Sequence, residues 1–441
     1  MSRFANPQPR SVSQRRPRPV ALYAQITLVV LCLIVVIGFD PLHTRTREDA
    51  MAGQGEGDIV RQLSYLLLFG FGLLNAGVLQ DVRKLLVLPA SIAVVIAYFY
   101  LSLTWAIEPS IAIRRLTLAV ILIWIVFSAV SLAGYERTLS GFRAVMLITL
   151  VLNYLAVAVL PSGVHAGAEV LDLNLTGNWR GVQSHKNFAG PAMAILILLF
   201  LFDMQGRRLF RLAVIAAAAF FLYKSSSKTS AILLAAAVVS GWAVGLIGMR
   251  YRTAALLIFG YGLLLGILSL PLVWDDMGEI FGPDSFTGRM YIWQAMLAFA
   301  ADHLLGAGYG SFWNIGPDSP IQHYASGWVS KLFIGHNGYL ELLVQVGPIG
   351  LALAVVMTLV VPIVKLFKAK DVPRSRLALL ISLMVFCIGH NLTESSIYER
   401  DQMMQIFLMI TVATIHLVAR RPVPMRNLAS DAGKAGRPAA A

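Results

Sequence analysis

The sequence predicts an all-α polytopic membrane protein with about twelve transmembrane helices and one long outer loop. Three observations carry that expectation. Apolar residues make up 57% of the 441-residue chain, charged residues only 13%, and the mean hydropathy is +0.71. The apolar residues gather into repeated runs of membrane-crossing length. The basic residues stand mainly at the ends of these runs, about two thirds of the 36 Lys and Arg on the side shared by the two tails.

Each run reads as a helix, because backbone groups in lipid must bond within their own segment. The first, 21–39, follows Arg3, Arg10, Arg15, Arg16 and Arg18 and resembles a signal peptide. It is long, and Asp40-Pro41-Leu42-His43 is no small-residue cleavage site, so it reads as an uncleaved membrane helix. The remaining runs are 63–80, 85–104, 116–133, 144–161, 188–203, 209–223, 231–248, 253–272, 338–363, 377–389 and 403–418. The basic excess marks the tail side as cytoplasmic, which gives an inner-membrane protein with both termini inside. The domain plan is a basic disordered tail over 1–20, one transmembrane domain over 21–421 with the periplasmic loop 273–337, and a second disordered tail over 422–441. Within the loop, the apolar stretch Met290 to Ala301 is too short to span and reads as a helix lying on the membrane surface. Cys32 and Cys387 lie inside apolar runs and read as core residues.

The net charge of +13 does not imply nucleic acid, since the basic residues follow topology and no nucleic-acid motif accompanies them. No Walker A loop, dinucleotide fingerprint, serine-hydrolase elbow or zinc spacing is present. Asp275-Asp276 is a lone acidic pair, and the sequon matches at Asn174 and Asn391 are of a length that chance supplies. No cofactor or metal is expected.

An enzyme on the outer face must take its energy from a substrate that already stores it, and a lipid diphosphate sugar fits. Such chemistry needs fixed cations for the diphosphate and a base for the attacking hydroxyl. The outer stretches carry both types. Trp179-Arg180-Gly181-Val182-Gln183-Ser184-His185-Lys186-Asn187 sets two cations and a histidine at the start of a span, where a helix N-terminus adds partial positive charge. Lys224 and Lys228 flank a Ser-rich turn, Gly288-Arg289 heads the loop helix, His336-Asn337 precedes the tenth span, and His390-Asn391-Leu392-Thr393-Glu394 follows the eleventh. Each also has an ordinary structural reading: a tryptophan-belt loop, snorkelling lysines, an exposed arginine, a helix cap, a solvated acid. Their sharing one face, among spans nearly free of charge, is the argument for function. Asn75 and Asn153 lie within spans and read as bonds to neighbouring helices.

At these residues the chain resembles the O-antigen ligase and Wzy-type polymerase superfamily. The resemblance rests on His336-Asn337, Tyr339-Leu340 and the later Gly347-Pro-Ile-Gly350-Leu351, with Thr287-Gly288-Arg289, Trp293 and Leu305-Gly306-Ala307-Gly308 upstream. Ser227-Lys228-Thr229-Ser230 is similar to the family's Ser-(Arg/Lys)-Thr segment, and Trp179 through Gly190 resembles the ExoQ-like exopolysaccharide polymerases. The resemblance implies a GT-C-like membrane glycosyltransferase fold, undecaprenyl-diphosphate-linked oligosaccharide as substrate and no required metal. It implies phosphate contacts from Arg180, Lys186 and Arg289, His336 as the base, and Asn337 orienting His336 or the acceptor. His185, Lys228 and Glu394 complete the expected substrate contacts. The expected activity is polymerisation of lipid-linked repeat units in exopolysaccharide biosynthesis. The alternatives are ligation of the glycan to lipid A-core or protein, and transport of a lipid or solute without bond formation. Expected partners are the bilayer, the lipid-linked glycan, and proteins of chain-length control and export; nucleic acid is not among them.

Overall fold

The computed structural model describes residues 18–39, 58–165, 175–203, 206–246, 288–369 and 372–420. The expected span 253–272, most of both tails, Asp275-Asp276, Thr287 and Asn174 lie outside the described residues. Those described form helices and loops with no strand, only a single bridge between Val164 and Trp179.

The helices follow the apolar runs: α1 (Arg18–Ile37), α2 (Ile59–Ala76), α3 (Ala90–Ser102), α4 (Pro109–Val159), α5 (Lys186–Phe202), α6 (Arg208–Ser225) and α7 (Lys228–Leu246). Then come α8 (Arg289–Asp302), α9 (Gly338–Val355), α10 (Val361–Lys368), α11 (Arg374–His390) and α12 (Met403–Val418). A π turn, Val356–Val360, joins α9 to α10. Among the described residues five helices are long and apolar enough to cross a membrane, and α3, α5 and α12 are shorter apolar helices. The chain is an all-α polytopic membrane protein.

The spans expected at 116–133 and 144–161 are the two arms of α4, and the loop expected between them is reduced to one residue. Gly134 takes φ 77 and ψ 170, a conformation open to glycine because it has no Cβ. The arms reverse the chain. Asn153 on the second arm accepts the Val182 amide at 3.0 Å, and Arg115 on the first donates to the carbonyls of Gly310, Trp313 and Asn314 at 2.6, 2.7 and 3.0 Å. The turn between them lies at the opposite end, where Arg376 stacks over Tyr135 and pairs with Glu136, and where Arg143 pairs with Asp203. The bundle therefore has two rims, and the candidate segments share the first. Asn75 donates from α2 to the Val20 carbonyl of α1, so Asn75 and Asn153 both bond neighbouring segments. Cys32 and Cys387 are buried and free.

The apolar face of the loop helix α8 is covered by protein. Its apolar side chains Met290, Ile292, Trp293, Met296 and Phe299 are buried against Phe312, Trp313, Ile321 and Val329 of the following segment. Each large apolar side chain gains about 1.5–3 kcal/mol on leaving water, and the protein supplies the cover that lipid was expected to give. This second core is held on α9 by close backbone approach. A Cβ at Gly347 would stand 2.3 Å from the Leu304 carbonyl oxygen, and one at Gly306 would stand 2.6 Å from the carbonyl carbon of Gln345. Gly306 and Gly347 of the family-like motif are places where two backbones touch.

Candidate active site at one rim of the bundle

The site is built around Glu394, in the turn after α11. Its Oε1 accepts from Arg289 Nη2 at 2.8 Å and from Asn187 Nδ2 at 2.8 Å, and its Oε2 meets His336 Nδ1 at 3.1 Å. Burial works to raise the Glu394 pKa. The bond from His336 and the charges of Arg289 and His336 outweigh it, and the carboxyl is held down at about 2. An ionised carboxylate only accepts, so His336 Nδ1 is the donor, and in the neutral ring Nε2 carries the lone pair. An imidazole fixed in this way is ready to take a proton.

Three separate pieces of chain deliver these groups. Arg289 opens α8, whose cap Gly288 is left-handed at φ 76, and its Nη1 also donates to the Thr393 carbonyl. His336 stands just before α9 with φ 54, a left-handed conformation that costs a non-glycine residue roughly 1 kcal/mol or more. Asn187 is in the first turn of α5.

The neighbouring 160–187 segment uses its polar side chains differently. Arg180 is 0% exposed. It donates Nε to the Ser162 carbonyl at 2.6 Å and Nη1 to the Ser184 carbonyl at 3.0 Å. These bonds fasten the loop in front of α5, and a fully buried guanidinium must have its donors matched. His185 caps α5, its Nδ1 accepting the Asn187 amide at 3.1 Å, and His165 Nε2 accepts the Lys186 amide at 3.2 Å. The two rings meet edge to face at 5.0 Å. Burial first, then the neighbouring His165, push the His185 pKa down to about 4, so its ring is neutral. The charges of Glu394, Lys186 and His336 all act on it, which places it beside the carboxylate cluster.

Asn337 is the N-cap of α9. Its Oδ1 accepts from Tyr339 and Leu340 at 3.0 and 3.1 Å, and its Nδ2 donates to the Leu392 carbonyl at 3.2 Å. This cap fixes the helix start directly after His336. Lys228 opens α7 and is exposed. Lys224 lies 5.5 Å over the Trp179 ring, a cation–π contact. Asn391 is 2% exposed and its Oδ1 accepts from Ser396 and Ile397, which excludes its sequon from glycosylation in the folded chain.

The structure thus brings His336, Arg289 and Glu394 together with His185 beside them, opens α5 with Lys186 directly after His185, and bonds Arg180 and Asn337 to backbone groups. Sequence reasoning gave no role to Asn187 or His165. Asn187 lies in the same short motif as His185, a signal that was present. His165 lies twenty residues upstream of His185, and no local pattern points to it.

The family model described as O-antigen ligase matches residues 211–355, a stretch that contains Lys228, Arg289, His336 and Asn337 and leaves out Arg180, His185, Lys186 and Glu394. No curated protein matches the chain. The match makes this helical, multiply membrane-crossing bundle similar, over that part of the chain, to the O-antigen ligase family.

Proposed function

We propose that this protein polymerises undecaprenyl-diphosphate-linked oligosaccharide repeat units at the periplasmic face of the inner membrane, in exopolysaccharide biosynthesis. The observation that carries the reading is the Glu394 carboxylate joining His336 to Arg289 on one rim of a membrane bundle. His336 Nε2 removes the proton from an acceptor sugar hydroxyl. The hydroxyl oxygen attacks the anomeric carbon of the donor, the bond from that carbon to the diphosphate breaks, and the lipid diphosphate leaves with the electron pair. Arg289 and Lys186 offset the charge that develops on the leaving group. Arg180 supports this indirectly, by holding the loop before α5. No nucleotide or metal is required.

The description O-antigen ligase favours a second acceptor for the same chemistry, a lipid A-core sugar or a protein side chain. Deletion in the native host separates the two. A polymerase mutant accumulates single lipid-linked repeat units, and a ligase mutant accumulates long unattached chains. A transporter reading gains nothing from Asn75 and Asn153, which bond neighbouring segments.

The direct test is purified protein in detergent with lipid-linked glycan and EDTA, without nucleotide. Longer chains on a gel are expected. No extension with an acceptor known to be competent overturns the reading. Cysteine labelling at exposed positions near 180, 289 and 336 checks the orientation. Labelling from the cell interior would place the site on the wrong side of the membrane.

A further inference from the structure

His336 occupies a left-handed backbone conformation, so something must hold the peptide groups on either side of it. The Gly335 amide donates to Glu341 Oε1 at 2.6 Å, and the Gly335 carbonyl accepts from Trp293 Nε1 at 2.8 Å. On the other side, the Asn337 amide donates to Ser395 Oγ at 3.2 Å, and that hydroxyl donates onward to the same Glu341 Oε1 at 2.9 Å. The second oxygen, Oε2, accepts from Trp313 Nε1 at 2.5 Å. Glu341 is 4% exposed and stands in the first turn of α9, where the positive end of the helix favours an acid.

We infer that Glu341 is a positioning residue for His336: one buried carboxylate holds the Gly335 amide directly and the Asn337 amide through Ser395, and so anchors the backbone on both sides of His336 to the second core through Trp313. This rests on the reading of His336 as the base. Glu341 touches neither His336's ring nor any reacting atom. It sets the loop from which His336 reaches Glu394, and it ties together three segments distant in sequence, 313, 335 and 395. The hydrogen-bond pattern makes the assignment specific. All three partners are donors, so the position needs two acceptor oxygens. Glutamine keeps the Oε1 contacts to Gly335 and Ser395 but turns an N–H₂ toward the Trp313 N–H, donor against donor.

The test measures initial rates of glycan extension by the full-length protein in detergent, with lipid-diphosphate-linked oligosaccharide as donor and acceptor. Glu341→Gln should lower kcat about 10- to 100-fold, the cost of a displacement of roughly 1 Å at a reacting group, and leave KM within about twofold. Adding Trp313→Phe removes the opposing donor and should restore at least about tenfold of that loss. A rescue of this kind reports the direction of one hydrogen bond, which a general loss of packing would not reproduce. Size-exclusion profiles establish that each variant is folded. If Glu341→Gln does not fold, Ser395→Ala and Ser395→Thr take its place. The hydroxyl-free variant should be slow and the threonine variant close to the parent. Wild-type rates in Glu341→Gln, or a double variant no faster than the single one, overturn the inference, and so do equal rates for the two Ser395 variants. His336→Ala runs alongside. Full activity there would overturn the reading of His336 itself, and an inactive His336→Ala with an unimpaired Glu341→Gln would overturn only the positioning role of Glu341.

Discussion

Two halves of one rim contain the same residue types and use them in opposite ways. Around Glu394, an arginine, a histidine and an asparagine bond to one carboxylate. Around α5's start, an arginine donates to carbonyls and two histidines accept backbone amides. Bonds between side chains leave a titratable group with a defined tautomer and a free face, as in His336. Bonds from side chains to backbone fix a loop and hold the titratable group in one state, as in His185. The difference separates residues positioned for chemistry from residues that place them, although an Arg or His in either half looks alike in the sequence.

The strongest way to break this comparison is His336→Ala. It should reduce chain extension by about 10²- to 10⁴-fold with membrane insertion intact. Normal extension by this variant would remove the basis for the Glu394 half as a catalytic centre. Glu394→Gln comes next. It loses the charge that orders His336 and Arg289, and turnover should fall about 10- to 100-fold, the range typical of an orienting carboxylate. Arg289→Lys should cost about tenfold, because lysine cannot repeat the paired donors that meet Glu394 and the Thr393 carbonyl.

The other half should respond in stability. Arg180→Met leaves the Ser162 and Ser184 carbonyls without that partner and should lower stability by about 2–3 kcal/mol. Turnover per folded molecule should stay within about twofold, since no reacting group is removed. Thermal unfolding in detergent, with rates normalised to the folded fraction, checks both. A large loss of turnover with unchanged stability would move Arg180 into the substrate site.

The smallest effect is in the pH dependence of stability. Folding lowers the His185 pKa from 6.5 to about 4, so between these values the unfolded chain binds a proton that the folded one refuses. Stability present above 6.5 is lost as pH falls to about 4. Glu394 drops from 4.5 to about 2 and adds a second loss over that lower window. His185→Asn keeps an N-cap and should reduce the loss over the upper window, to which buried His390 also contributes, while leaving the lower one. An unchanged upper window would show that another group titrates there.

Much of the fold was legible. The runs expected as spans correspond to helices wherever the chain is described, because apolar length and the need to bond the backbone internally are local properties. The single-residue turn at Gly134 was not legible, since nothing nearby distinguishes a glycine in a left-handed turn from one inside a helix. Nor was the cover over α8. The apolar residues of that helix call for burial, but whether lipid or protein supplies it depends on residues 307–332, which fold back over it.

The site divides along the same line. Sequence by itself determined that cations and imidazoles lie in segments at one rim, because hydropathy fixes where a chain leaves the bilayer. It also placed Asn337 and His185 at helix starts, where capping is a matter of two or three neighbouring residues. Only the tertiary structure decided that Glu394 meets Asn187, Arg289 and His336 across separations of 207, 105 and 58 residues. The physical reason is range. Helix formation and capping act over a few residues, whereas the state of a buried charge is set by whichever groups the fold brings within about 3 Å of it.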